Sequence, residues 1–353
     1  MHKEVVAITA VVAGFLLVAA TEERPSTEQA KKALGAAAGR ALQGQASEAV
    51  TLLSVIPAEQ FGPKEGVIRD CIIERFGPGS LPPQIGLDST LTGRAISAYR
   101  SYWWSALKRP ETQALAEGEL QIRLRKLLRL PGNADVDAIE EALRTRIATE
   151  GFHALVGRTP PLLELMVWKS ETEEIRDVPL PEGRHRVSVK FLDQFSSLGW
   201  AAFATCDHGF TGGWVQPDAI YAVGPGWKDL AGENFIISFV AHETQHFADK
   251  KRLGDLEPWE LEYRAKLTEL ALANTTLPKL LGAFQSNQSS DRDLPHSYAN
   301  ALVLARLKDK LGRSSSDLSS TAGNAINATA HALLVEDTAR RVGNVAERRP
   351  GAE

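Results

Sequence analysis

The run Phe235-Ile236-Ile237-Ser238-Phe239-Val240-Ala241-His242-Glu243-Thr244-Gln245-His246-Phe247-Ala248-Asp249-Lys250-Lys251-Arg252-Leu253-Gly254 carries no Gly or Pro before its last position. Its apolar residues recur at helical spacing, basic residues fill the last turn and Gly254 closes it, which predicts one helix over 234–253. His242 and His246 then stand one turn apart on the same face, so both imidazoles can reach one ion. Glu243 is turned by about 100° from His242, near enough to touch a water at that ion without being a ligand.

Outward from this helix the chain changes character twice. Ala219-Ile220-Tyr221-Ala222-Val223, bounded by Gly224-Pro225-Gly226, reads as a strand. Leu165-Met166-Val167-Trp168 reads as another, as does Arg186-Val187-Ser188-Val189-Lys190-Phe191-Leu192, which alternates after a Pro181-Glu182-Gly183 turn. Trp200-Ala201-Ala202-Phe203-Ala204-Thr205 is a further strand expectation. From Ser26 to about Leu130, alanine-rich segments with apolar spacings of three and four predict helices, and another follows from Asp135, a plausible cap, to Gly151. Pro160-Pro161 closes this helical half. Tyr99, Tyr102, Trp103 and Trp104 are expected in a core or interdomain contact, and the basic Leu120–Leu130 stretch as a solvated face beside a leucine stripe. The fold class is therefore α+β and mostly helical, with a helical lobe at 21–160 and a domain at 161–353 that holds a small mixed sheet.

A hydrolytic zinc site needs a third protein ligand and leaves a fourth position to water. The metzincin continuation would place Gly at 249 and His at 252, where this chain has Asp249 and Arg252. Beyond Gly254 a second helix is expected, with Pro258 in its first turn and Glu257, Glu260 and Glu262 along it. A carboxylate from this helix completes a His₂Glu set, with Glu262 preferred and Glu260 the alternative. The plain alternative for either is pairing with Arg264 or Lys266.

His-Glu-x-x-His followed by a glutamate on the next helix resembles the gluzincins, the thermolysin-like clan of zinc peptidases. The resemblance covers the chain from Ala219 through the helix of Glu262. It implies one Zn²⁺ held by His242, His246 and Glu262, Glu243 as general base, and hydrolysis of peptide bonds. Glu262 is favoured because Ala265, one turn on, lets this helix approach the active-site helix. The family pattern has an Asp four residues after that Glu; this chain has Lys266, and Asp249 or Glu269 must orient a ligand histidine instead. The resemblance also implies an oxyanion donor on a later helix, for which His296 and Tyr298 are candidates, and Ile220–Val223 as the edge strand that docks an extended substrate. His331 is expected to be a packing residue.

The 353 residues are 43% hydrophobic and 24% charged, enough for substantial cores and incompatible with a disordered or fibrous chain. A formal charge of −4 supplies no basic field for nucleic acid. Met1-His2-Lys3-Glu4 and an apolar run from Val5 to Ala20 have the layout of a signal peptide cut after Val18-Ala19-Ala20, or of a short membrane anchor. Export, to a periplasm or beyond the cell, permits a disulfide between Cys71 and Cys206 without requiring one. The expected function is an exported zinc metallopeptidase acting on peptide or protein substrates, with a membrane attachment only through the N-terminus. The alternatives are a zinc amidase acting on cell-wall or other acyl-amine substrates, and a non-enzymatic envelope scaffold with a structural zinc.

Overall fold

Alanine and leucine at three- and four-residue spacing build the first helices: α1 (Glu28–Leu42), α2 (Ala46–Ser54), α3 (Pro63–Phe76), α4 (Leu91–Lys108), α5 (Gln113–Leu128) and α6 (Val136–Thr149). The computed structural model describes residues 24–83, 89–313, 318 and 320–347, so the expected leader at 1–20 lies outside it. Side chains of Thr27, Thr90 and Asp135 accept from the N–H groups of Ala30, Gly93 and Ala138, each satisfying a donor that the first turn leaves free. Leu120, Leu124 and Leu128 of α5 are buried, so the leucine stripe belongs to the core. Trp103 and Tyr102 of α4 fix the next layer: the indole N–H donates to Leu163 O at 2.8 Å, and the Tyr102 hydroxyl accepts from Leu163 N at 3.1 Å. Among the described residues no helix is long and apolar enough to cross a membrane.

Leu163 belongs to a three-stranded antiparallel sheet, ordered β1 (His153–Thr159), β2 (Leu162–Trp168) and β5 (Ser197–Leu198). Pro160-Pro161, joined by a cis bond, turns β1 into β2. A second sheet runs β3 (Ser170–Leu180), β4 (Gly183–Asp193), β7 (Ile220–Val223) and β6 (Gly213–Val215), with β4 and β7 parallel and the outer pairs antiparallel. One face of it, with Val187, Val189, Ile220 and Ala222, packs on Phe235, Phe239 and Val240; Tyr221 and Val223 on the other face meet Met166 and Trp168. The remaining chain is helical: α8 (Glu233–Phe235), a π-helical segment Ile236–Ala241, α9 (His242–Leu253), α10 (Pro258–Leu272), α11 (Leu277–Ser286), α12 (Pro295–Lys310) and α13 (Gly323–Glu347). Helices α10 to α13 share a core of their own around Leu267, Leu270, Val303 and Leu334.

The class is α+β and mostly helical, as expected, but three local expectations differ. Trp200–Thr205 is not a strand: it lies in a seven-residue helix, α7 (Gly199–Thr205), buried around most of its circumference between α1, α4 and β2. A segment apolar on all sides carries no period that separates the two states. Strands β1 and β3 were not expected, and β3, Ser170-Glu171-Thr172-Glu173-Glu174-Ile175-Arg176, is charged and exposed because it is an edge strand. Ile220–Val223 is a strand but not an edge: β4 and β6 flank it, so its main-chain groups are spent inside the sheet. Its neighbour β6 holds that edge. Cys71 of α3 and Cys206, just past α7, form a disulfide that ties the two helices together.

Candidate metal centre

The helix expected at 234–253 is continuous but not uniform. Its middle, Ile236–Ala241, is π-helical, and the N–H of His242 reaches back to the carbonyl of Ile237. The wider turn presents Phe235, Phe239 and Val240 to the second sheet, and single π turns of this kind recur at functional sites. Gly213 of β6 lets this segment approach: a Cβ there would lie 2.3 Å from Phe239 Cζ and 2.2 Å from Tyr221 O. α9 then starts at His242.

His242, His246 and Glu262 converge. Glu262 Oε1 lies 3.3 Å from His246 Nε2, and Oε2 lies 3.6 Å from His242 Nε2. Three donors about 2.0–2.1 Å from one tetrahedral ion stand about 3.3 Å apart, and one nitrogen or oxygen from each of these side chains lies within 4.8 Å of the others, so a small side-chain shift brings them to ligand spacing. All three are buried. His246 Nδ1 has no hydrogen-bond partner among the described residues, and Glu262 Oε2 accepts no well-directed hydrogen bond, although His296 Nδ1 lies 2.7 Å from it. A buried carboxylate set among imidazole nitrogens in this way has the donor chemistry of a cation site. The group can hold a metal ion.

Neighbouring carboxylates set the electrostatics. Glu269, about two turns further along α10, contacts His242 Nδ1 at 2.7 Å, which fixes the ring and turns Nε2 toward Glu262. Burial alone would depress the His242 imidazolium, but Glu262 and Glu269 outweigh it and raise its pKa to about 10 in the metal-free protein. For Glu262, burial is likewise outweighed by His242, His246 and His296, and the carboxyl is held well below the usual range. Of the two candidates for orienting a ligand histidine, Glu269 does so. Asp249 serves a different partner, Arg264.

Arg264 is fully buried and binds together the elements that carry the candidate ligands. Its Nε and Nη2 each donate to Asp249 of α9 at 2.9 Å, Nη1 donates to Asp337 of α13 at 2.9 Å, and Nη2 also reaches Glu182 in the β3–β4 turn at 3.1 Å. Beside it Gln245 accepts from Thr268 at 2.8 Å and donates to Asp249 at 2.8 Å, so polar residues of the His-x-x-His turn stitch α9 to α10. In the sequence Arg264 looked like a surface partner for a helix carboxylate; its signal was that Tyr263, Ala265, Leu267 and Leu270 around it are apolar.

The other candidates separate cleanly. Glu260 accepts from the N–H of Glu257 at 2.9 Å, closing a capping box, and its second oxygen takes Arg341 at 2.9 Å. Both oxygens are thus committed away from the histidines. His296, exposed in the first turn of α12, places Nδ1 2.7 Å from Glu262 Oε2. Tyr298 stands instead edge-on to Trp259, its hydroxyl 3.4 Å from Arg292 Nε. Glu243 is half-buried next to His242, and no hydrogen bond or ion pair among the described residues engages its carboxylate. His331 Nε2 lies 3.3 Å from the carbonyl of Pro181, away from the group. Comparison with known proteins adds nothing to this geometry: no protein-family model, curated protein or solved structure matches the chain.

Proposed function

We propose that this chain is an exported zinc-dependent peptidase of the gluzincin type. The observation that carries the reading is the convergence of His242, His246 and Glu262 near ligand spacing, with the uncommitted carboxylate of Glu243 on the same turn of α9. A bound Zn²⁺ would supply Lewis acidity at the scissile carbonyl. Glu243 takes the proton from the attacking water and delivers it to the leaving nitrogen. Glu269 keeps the proton of His242 on Nδ1, leaving Nε2 for the metal. His296, which reaches the ligand carboxylate from the exposed start of α12, is preferred over Tyr298 as donor to the developing oxyanion, because Tyr298 is turned to Trp259 and Arg292. An extended peptide would pair with the outer edge of β6, the strand that lies against the π-helical segment.

The Cys71–Cys206 disulfide supports export, since such bonds persist in oxidising compartments, and it agrees with the leader-like residues 1–20. The acidic balance argues for protein or peptide partners over nucleic acid.

The test is metal content and turnover measured together, on protein purified without a metal-binding tag. About one zinc per chain is expected, and it should be lost in both His246→Ala and Glu262→Ala. Glu243→Gln should keep its zinc and lose casein hydrolysis by at least about a hundredfold. A chain that takes up no zinc, or a Glu243→Gln variant of undiminished activity, would overturn the peptidase reading. Bound zinc with no peptide turnover but cleavage of an acyl-amine substrate would move the reaction to an amidase.

A further inference from the structure

Lys266 stands one turn beyond Glu262 on α10 and is buried, with 7% of its surface exposed. Its Nζ lies 3.7 Å from Glu262 Oε2 and 4.9 Å from the centroid of the Phe284 ring on α11. A buried ammonium needs a countercharge, and the carboxylate it pairs with among the described residues is that of Glu262. Nearby acids are committed elsewhere, Glu269 to His242 and Asp249 to Arg264. The ammonium and an incoming metal ion therefore draw on the same carboxylate. Both would sit within a few ångströms of each other in a largely buried group, where like charges repel more strongly than in bulk solvent.

We propose that Lys266 sets the metal affinity of the His242–His246–Glu262 group, holding Glu262 in place in the metal-free protein and then weakening the hold on the cation so that it can exchange. The inference rests on the reading of that group as a metal site. Two groups next to the ligands pull in opposite senses: the Glu269 carboxylate behind His242 favours the cation, and the Lys266 ammonium beside Glu262 opposes it. Lys266 is a positioning residue whose effect is carried by its charge, which a neutral side chain of similar length removes without opening a cavity next to Phe284.

The experiment is zinc titration of the purified chain against a competing chelator, with Lys266→Met, Lys266→Gln and Lys266→Arg beside the natural protein. Lys266→Met should bind zinc at least about tenfold more tightly. Its metal-free melting temperature should fall, because Glu262 loses one of its charged partners. Lys266→Arg should stay near the natural affinity. If Lys266→Met is too unstable to titrate without metal, Lys266→Gln carries the same expectation of tighter binding. One zinc bound by the natural protein, with equal or weaker affinity in the neutral variants, overturns this inference alone. No zinc bound by the natural protein overturns it together with the peptidase reading.

Discussion

Glu164 of β2 is 1% exposed, and its Oε1 accepts from Leu165 N and from Trp200 N, both at 3.0 Å. Gly199 makes room for it: with φ at 89° and no side chain, it leaves the place where a Cβ would fall 2.3 Å from that oxygen. Burial pushes the Glu164 carboxyl up to about 7, against the pull of the two N–H groups. The folded state thus binds a proton more tightly than the unfolded chain, whose glutamate titrates near 4.5. The stabilisation is complete below about pH 4.5 and is lost as pH rises through about 7, a change of about 3 kcal/mol. Glu164→Gln should flatten this part of the curve of unfolding free energy against pH; denaturant titrations at pH 4.5 and 8 check it. An unchanged slope would mean that Glu164 is ionised throughout. The residues of the candidate metal group belong to the same scale. His242, Glu243 and His246 were legible because a helix brings residues i and i+4 together by local geometry alone. Glu262 over Glu260 was a preference in the sequence; in the structure Glu262 is the carboxylate beside both histidines, while the capping box and Arg341 occupy Glu260.

At the scale of elements, the seam between α9 and α10 holds the site. Arg264 sits in it with Asp249, Asp337 and Glu182 as its carboxylate partners, and burial raises the Asp249 carboxyl even with Arg264 beside it. Arg264→Met would leave Asp249 and Asp337 buried without this cation, a loss of about 3–5 kcal/mol. The expected outcome is a melting temperature lower by about 5 °C and weaker zinc binding, read by calorimetry and chelator competition. A variant that melts like the natural protein would show that Arg340, Arg341 and the surrounding hydroxyls suffice. Gly213 governs a second contact. Gly213→Val should push β6 away from Phe239, lowering stability by about 1–3 kcal/mol. If the proposed edge docking is right, it should also raise KM for an extended peptide more than it lowers kcat.

Across the whole molecule, one apolar core runs from Ala30 to Ala204 and a separate one joins α10 to α13, with the second sheet between them. The Cys71–Cys206 disulfide closes a loop of 135 residues within the first of these. Serine at both positions should cost about 2–4 kcal/mol by releasing that loop in the unfolded chain. Thermal melts of the natural protein with and without reductant should reproduce the difference. Zinc content should stay unchanged, because the bond lies outside the core of α10 to α13. Metal loss in the double-serine protein would instead tie the helical lobe to the site.

The sequence by itself determined most of the helices, the cap at Asp135, the α+β class and the His-Glu-x-x-His face. These depend on spacings within a few residues, and the backbone converts such spacings directly into faces and ends. Only the tertiary structure decided what depends on remote partners. It set the order β3-β4-β7-β6, which places Ile220–Val223 inside the sheet, and made a helix of the uniformly apolar Trp200–Thr205. It also joined Cys71 to Cys206 and placed Arg264 and Lys266 in the interior, where each charge is matched by a carboxylate. The physical reason is the same in each case: strand neighbours and countercharges come from segments tens of residues away, and no local period records them.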